Sequence, residues 1–392
     1  MTPQESRCPA DVREPLSVLL ASDSFKGSAS SREIEDLLEQ GVRRVVSDCT
    51  VLKFPIADGG EGTVEAVISA CGGEIREATV RGPLGDDVTA QYGLLPDGKT
   101  AVLEMAQSSG ITLIDQNRDN ALLASTFGVG QMVLDAIDAG ARRIYIGLGG
   151  SATSDGGTGM AKALGVRFRN IDGNDISCGL GGLRNLATID LSGLDPRVTA
   201  TEFVALTDVT NPLVGTNGAV RVYGPQKGII RDEIEALDED MQHYANMLAS
   251  DCGVDVGHLP GAGAAGGLGA ALVAFCNARI SSGIETVLDL IGLERVMDSV
   301  DLVITGEGRM DSQSANGKAP VGVAQRAKKY GKPVVAVVGG RADDLGEVYD
   351  MGIDLVLSSV PTAMSLDECL ARTDINIPIA GETAMRAFLF GR

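Results

Sequence analysis

Short apolar runs alternate along this chain with stretches whose apolar residues recur at helical spacing. SVLLAS (Ser17–Ser22) is an apolar run that ends in a polar loop, the pattern of a buried parallel strand. The loop DSFKGSASS follows. A helical period then runs from Ser31 to Val45, with Ser30 or Ser31 as N-cap and Glu33 in the first turn. TVLKFPI (50–56) reads as a second strand, ADGGEG as its exit loop, and a second helix runs over 63–69. Strand–loop–helix, repeated, predicts the start of a parallel α/β sheet.

From Gly73 the texture changes. Residues 74–106 alternate short strands with GPLGDD and PDGK turns, which predicts antiparallel material. Residues 126–139 are helical, RRIYIGL is a strand, and GGSATSDGGTG leads into the helix MAKALG. EFVALTDVTNPLVG reads as strand then loop, 231–252 as a long polar helix, and GAGAAGGLGAALVAFCNA as a glycine loop opening a small-residue helix. The opening texture then returns. DLVITGEG (301–308) is strand then loop, 319–330 is helix, and PVVAVVGG and IDLVLSSVP are strands. The simplest topology is discontinuous. Residues 16–77 and 285–392 form a doubly wound, Rossmann- or flavodoxin-like α/β domain, and 78–284 form an inserted α/β domain with a mixed sheet. Residues 1–15 are read as a flexible N-terminal extension.

Composition narrows the chemistry. The 392 residues hold 33 Lys and Arg against 53 Asp and Glu, a net charge of −20. That disfavours nucleic acid and anionic membranes as partners. No apolar run reaches the roughly 18 residues of a membrane span. The N-terminal segment has no apolar region of the kind a signal peptide needs. The seven cysteines lie far apart with no C-x-x-C, which fits a reducing cytoplasm. Two histidines leave carboxylates and lysines to do most of the chemistry.

The 51 glycines concentrate after the predicted strands, beside Asp, Glu, Ser or Lys. Open α/β sheets bind ligands at the carboxyl ends of their strands, and glycine lets backbone N–H groups approach an anion. Six such loops favour a large phosphate-bearing ligand over six ordinary turns. Lys26, Lys227 and Lys318 each sit beside glycine in these loops and suit phosphate. The loop carboxylates are Asp23, Asp58, Glu61, Asp155, Asp208, Glu307 and Asp311. They suit Mg²⁺ ligation, proton acceptance or helix capping. Asp23 and Asp155 read foremost as caps, Asp58 and Asp208 as functional, and Glu307 with Asp311 as a pair able to share one ion. GLGGSA (147–152) fits the relaxed dinucleotide fingerprint, with Asp172 downstream, but the motif is short. There is no Walker A motif and no G-x-S-x-G elbow.

Together DSFKGS, ADGGEGT, GGSATSDGG, NPLVG, GPQKG, GAGAAGGLGA, ITGEGRMDSQ and GKAPVGVA resemble the bacterial glycerate kinases of the first type, in order and over nearly the whole chain. The resemblance implies two unlike α/β domains with the active site in their cleft. It implies transfer of the γ-phosphoryl group of ATP to D-glycerate, giving 2-phosphoglycerate or 3-phosphoglycerate. Asp208, then Asp58, is expected to accept the hydroxyl proton, with Lys227 and Lys318 neutralising charge. Lys26, Ser24, Arg309 and Asn211 are expected at the substrate. Mg²⁺–ATP is expected along Gly149, Gly150, Ser151, Ala152, Asp155, Gly263, Gly266 and Gly267, with Glu307 and Asp311 on the ion. The family's usual D-V-D-N-P is here Asp208-Val209-Thr210-Asn211-Pro212, which loses one acid. The family's usual G-A-S-A-V-F-G-P is here Gly218-Ala219-Val220-Arg221-Val222-Tyr223-Gly224-Pro225, which puts larger residues, Val220 and Arg221, in place of small ones. A hydroxy-acid dehydrogenase using NAD(P), or a non-catalytic hydroxy-acid sensor, are the competing readings. A homodimer is one assembly the sequence leaves open.

Overall fold

The computed structural model describes residues 15–315 and 318–391. The expected extension at 1–15 lies outside them, apart from Pro15. The strands, in chain order, are β1 (Ser17–Ser22), β2 (Thr50–Lys53), β3 (Glu74–Arg81), β4 (Asp87–Leu94), β5 (Thr100–Glu104), β6 (Arg143–Gly147), β7 (Arg167–Arg169), β8 (Thr188–Asp190), β9 (Glu202–Leu206), β10 (Arg279–Ser281), β11 (Leu302–Met310), β12 (Val334–Arg341) and β13 (Leu355–Ser358). The longer helices are α1 (Ser31–Val45), α2 (Thr63–Cys71), α3 (Phe127–Asp138), α4 (Ile234–Cys252), α5 (Ala264–Cys276), α6 (Gly283–Ile291), α7 (Ala319–Lys329) and α8 (Thr373–Phe390).

Five strands form an all-parallel sheet in the order β13-β12-β11-β1-β2. Central β1 and β11 are apolar on both faces because helices cover both sides. Val18 of β1 pairs with Leu302 of β11, so the two ends of the chain meet in this sheet. The first connection, β1 to α1 to β2, moves one way. The connection β11 to α7 to β12 moves the other way. The crossover direction therefore reverses between β1 and β11. A second sheet of six strands runs β10-β9-β6-β5-β4-β3. Its pairs β3–β4 and β4–β5 are antiparallel, as the turn signals predict, while β5, β6, β9 and β10 are parallel and are added in one direction only.

Local chemistry explains the element ends. Ser30 Oγ accepts from the Glu33 N–H, and the Ser30 N–H donates to Glu33 Oε2 at 2.8 Å, a capping box that starts α1. The buried stripe Ile34, Leu38, Val42 then packs under β1 and against α8. Gly41 permits that contact, since a Cβ there would lie 2.1 Å from the Pro378 carbonyl oxygen. Three sequence expectations shift. β2 stops at Lys53, ahead of Phe54 and Pro55, because proline has no ladder donor. β11 continues to Met310, so Glu307 and Arg309 lie on a strand paired to β12 rather than on a free loop. In α5 the residues Ala265, Gly266 and Gly267 have left-handed φ of 52°, 64° and 96°, so the regular helix begins after them.

The largest apolar cluster belongs to the six-stranded sheet and its helices, with Tyr92, Phe168, Tyr244 and Phe275 inside it. A second cluster joins the sheets. It contains Leu19, Ala21 and Val303 from the parallel sheet and Val102, Tyr145 and Leu206 from the other, with Val64 and Val67 of α2 and Ile284 and Val287 of α6. Among the described residues no helix is long and apolar enough to cross a membrane.

Candidate active site

Two cavities meet at Asp58, at the carboxyl ends of the strands of both sheets. The larger, about 750 Å³, lies over the ends of β1, β11 and β12. Its charged wall holds Asp23, Lys26, Asp58, Glu307, Arg309, Lys318 and Arg341. The smaller, about 330 Å³, lies over the ends of β6 and β9 and is lined by Asp58, Gly149, Gly150, Ser151, Asp208, Tyr223, Gln226, Lys227, Ala264 and Ala265.

Asp58 sits on the connection from β2 to α2. Its Oδ1 accepts from the Gly60 N–H at 3.1 Å. Gly59 must stay small and left-handed here: its φ is +87°, and a Cβ would lie 3.1 Å from the Leu206 Cβ. This close approach sets Asp58 against the end of β9. Asp208, the first choice for the base, closes the end of β9 from the other side. Ser282 Oγ donates to its Oδ1 at 2.7 Å, and the N–H groups of Gly283 and Ile284 donate at 2.9 and 3.3 Å. It thus holds the N-terminus of α6. Burial pushes its carboxyl up to about 6, against these hydrogen bonds and with help from the Asp58 charge.

Asp23 is the first residue after β1. Its N–H donates to the Gly306 carbonyl oxygen at 2.9 Å, and its Oδ1 accepts from the Ser24 N–H at 2.7 Å. Burial, then the Asp58 charge, push it up to about 7. In the sequence Asp23 reads foremost as a cap and not as a site residue. Its place after the central strand was the available signal. Arg341, at the end of β12, also lines this cavity, and no motif around it marks it in the sequence. Ser24, Lys26 and Arg309, expected at the substrate, line the larger cavity.

Glu307 is 7% exposed, burial raises its carboxyl, and its Oε1 has no hydrogen-bond donor. Lys318 Nζ lies 3.6 Å from Glu307 Oε2 and 3.9 Å from Asp311 Oδ1. An ammonium is therefore what the two carboxylates share in this structure. Asp311 also accepts from the Gln313 N–H at 3.0 Å. Among the described residues no three His, Cys, Asp or Glu side chains converge as a metal centre. Magnesium, however, often takes only one or two carboxylates beside phosphate oxygens. The unpaired Oε1 of Glu307 fits that need.

The smaller cavity separates its predicted residues into those that face it and those that build it. Lys227 is buried, and its Nζ donates to Ser151 Oγ at 2.9 Å and to the Thr153 carbonyl oxygen at 2.6 Å. Burial lowers it to about 7, although nearby Asp155 favours its charge. Asp155 itself is fully buried and lines neither cavity. It accepts from Thr126 N–H and Oγ1, both at 2.9 Å, and from the N–H groups of Gly157 and Gly159 at 2.9 and 3.0 Å. Those four donors use its carboxylate as a cap, so it has no free oxygen for a nucleotide. Gly263, Gly266 and Gly267 also line neither cavity. A Cβ on them would lie 2.2 Å from the Pro212 oxygen, 2.0 Å from the Thr153 oxygen and 2.8 Å from the Gly156 Cα, so they serve backbone packing. Their neighbours Ala264 and Ala265 form the wall. Ala152 is buried, with its N–H given to the Ser109 oxygen at 2.9 Å. Asn211 accepts from Tyr223 Oη at 2.7 Å and so fixes the ring that lines the cavity.

The glycerate kinase family model matches residues 18–389 of the chain. The chain belongs to the glycerate kinase family. A glycerate 2-kinase of Escherichia coli is 48% identical over 362 residues, 92% of this chain and 95% of that relative. A glycerate kinase of Halalkalibacterium halodurans is 47% identical over 357 residues, 91% of this chain and 94% of the relative. The crystal structure of a candidate glycerate kinase 2 from Salmonella typhimurium superposes with a TM-score of 0.85 at 45% identity, covering 96% of this chain and 99% of that one. Membership of a glycerate kinase family removes the dehydrogenase reading. Local geometry agrees: no helix opens directly after GLGGSA, and a Cβ at Gly147 would lie 2.4 Å from the Gly59 oxygen. The family departures also find their places. Thr210 is exposed and lines neither of these cavities, and Arg221 Nε turns away to Asp238 Oδ2 at 2.8 Å.

Proposed function

We propose that the protein transfers the γ-phosphoryl group of ATP to the 2-hydroxyl of D-glycerate, releasing ADP and 2-phosphoglycerate. The observation that carries this reading is Asp58 on the wall common to two cavities, in a chain of this family. Two substrates entering from opposite sides would meet at its carboxylate.

Phosphoryl transfer asks the protein mainly for position and positive charge. Asp58 orients the attacking hydroxyl and takes its proton as the oxygen bonds to the γ-phosphorus. Asp208 holds α6 and keeps the Asp58 loop against β9. Lys26, Arg309 and Lys318 surround the transferred group with positive charge. Glu307, with Asp23 beside it, would hold Mg²⁺, which supplies neutralisation of the phosphate oxygens. Loss of one such charge-stabilising donor typically costs about 3–4 kcal/mol, or roughly 10²–10³ in rate.

The deciding experiment mixes the protein with D-glycerate and Mg²⁺–ATP and follows ADP, then records the phosphorus NMR of the product. A phosphate on a carbon bearing one hydrogen gives a doublet, and one on a CH₂ gives a triplet. We expect ADP and a doublet. A triplet moves the site of transfer to the 3-hydroxyl, and absence of ADP removes the kinase reading. Glycerate binding without ADP would favour the sensor.

A further inference from the structure

We propose that the larger cavity is the nucleotide site, with the base against the apolar wall of Met364, Leu370 and Ile377 and the polyphosphate along Lys26, Arg309 and Lys318, leaving the smaller cavity to the hydroxy acid. This rests on the kinase reading above and reverses the placement expected from the sequence, which puts the nucleotide along 149–155 and 263–267.

Four observations point the same way. The first is topological. Ligands in open α/β sheets bind outside the carboxyl ends of the strands, where the crossover direction reverses. In this protein that reversal lies between β1 and β11, and the larger cavity sits over their ends. The parallel strands of the other sheet run β5, β6, β9, β10 in one direction and offer no such point.

The second observation is size. The larger cavity is about 750 Å³ and the smaller about 330 Å³. A nucleoside triphosphate is several times larger than a three-carbon acid. The third is charge. Lys26, Arg309, Lys318 and Arg341 all line the larger cavity, whereas the smaller has only Lys227. That ammonium already donates to Ser151 and Thr153 and is disfavoured by burial, so it is a poor partner for a polyphosphate.

The fourth is the apolar wall. The segment 360–377, which follows β13, brings Val360, Met364, Leu366, Leu370 and Ile377 to the larger cavity. A flat heterocycle needs such a surface, and glycerate has nothing to place on it. The polar set of the smaller cavity, with Ser151, Tyr223, Gln226 and Asp208, matches a small acid bearing hydroxyl groups.

Cys369 supplies the probe, because it is a free thiol on the wall of the larger cavity. The full-length protein is treated with iodoacetamide, and labelling of Cys369 is timed by peptide mass spectrometry. Exposed Cys178 serves as the internal control. Saturating Mg²⁺–ATP should slow labelling of Cys369 by about tenfold or more and leave Cys178 unchanged, while D-glycerate alone should protect neither. Protection by glycerate but not ATP, or by neither at saturation, overturns the assignment. ADP formation is measured on the same sample. ADP without protection sinks the cavity assignment alone. Protection without ADP sinks the kinase reading and leaves the nucleotide site standing. As a second reading, Leu370→Arg should raise KM for ATP about tenfold and leave KM for glycerate within twofold; equal effects on both would count against the proposal.

Discussion

Asp58 is held lightly for a residue at the meeting point of two cavities. Among the described residues its carboxylate accepts only the Gly60 N–H. Asparagine keeps that acceptor and loses the proton-accepting charge. Asp58→Asn should therefore lower kcat by about 10²–10⁴-fold with little change in thermal midpoint. Unchanged turnover would remove Asp58 from the mechanism. Asp208 behaves differently because burial raises its carboxyl from 3.8 to about 6. A raised value means that the folded state binds this proton more tightly than the unfolded chain. The associated stability is complete below pH 4 and is lost as pH rises through 6. At about 1.4 kcal/mol per unit, the loss is at most about 3 kcal/mol. Urea midpoints of the protein and of Asp208→Asn should therefore diverge between pH 4 and 6, the variant gaining as pH rises. Parallel curves would contradict the assignment. A loop motif can name such residues but not their burial. The run TSDGG shows Asp155 beside glycines, and nothing in it says that four donors close over the carboxylate. Lys227 hid its burial in the same way.

Elements were more legible than the contacts between them. The run SVLLAS and the pair Ser30 and Glu33 specify β1 and α1 by local physics alone, a buried strand and a capping box. The end of β2 was written in Pro55, although the apolar run continued past it. In the sequence GEG looks like a loop, which makes β11 appear shorter than it is. In the sheet it pairs in parallel with β12, and long-range pairing overrides local preference. Close approaches between elements leave almost no local trace beyond a glycine. Gly283 is the sharpest case. It is the first residue of α6, and a Cβ there would lie 1.9 Å from the Asp58 carbonyl oxygen. Gly283→Ala should destabilise the fold by about 1–3 kcal/mol. It should also displace Asp58 and cut kcat beyond what the stability loss explains, measured at a temperature where the variant is fully folded. Full activity at such a temperature would show that the Asp58 loop tolerates the shift.

At the scale of the molecule, the two sheets share a core. α2 and α6 lie between them, and Ile284 and Val287 contact the cluster that also holds Leu19 and Val102. Neither sheet can lose this layer without exposing the other. Urea unfolding should follow a single transition with coincident fluorescence and circular dichroism. Ile284→Ala should move that whole transition by about 2–5 kcal/mol. Two separated transitions would mean that the sheets unfold independently. The net charge of −20 gives the surface no affinity for polyanions as a class. Against that background the four cations around the larger cavity are a local exception, placed where strand ends converge.

The pairing of Val18 with Leu302 has a consequence for the birth of the molecule. As the chain leaves the ribosome, β1 emerges with one flank that nothing can cover until β11 is made. At about 5–20 residues per second that interval is roughly 15 to 60 s. The intervening strands can close their own sheet meanwhile, so β1 waits as an apolar, unpaired edge. Nascent chains halted before residue 301 should then be insoluble or chaperone-bound, and those released after β12 should not, which sedimentation of arrested ribosome complexes would show.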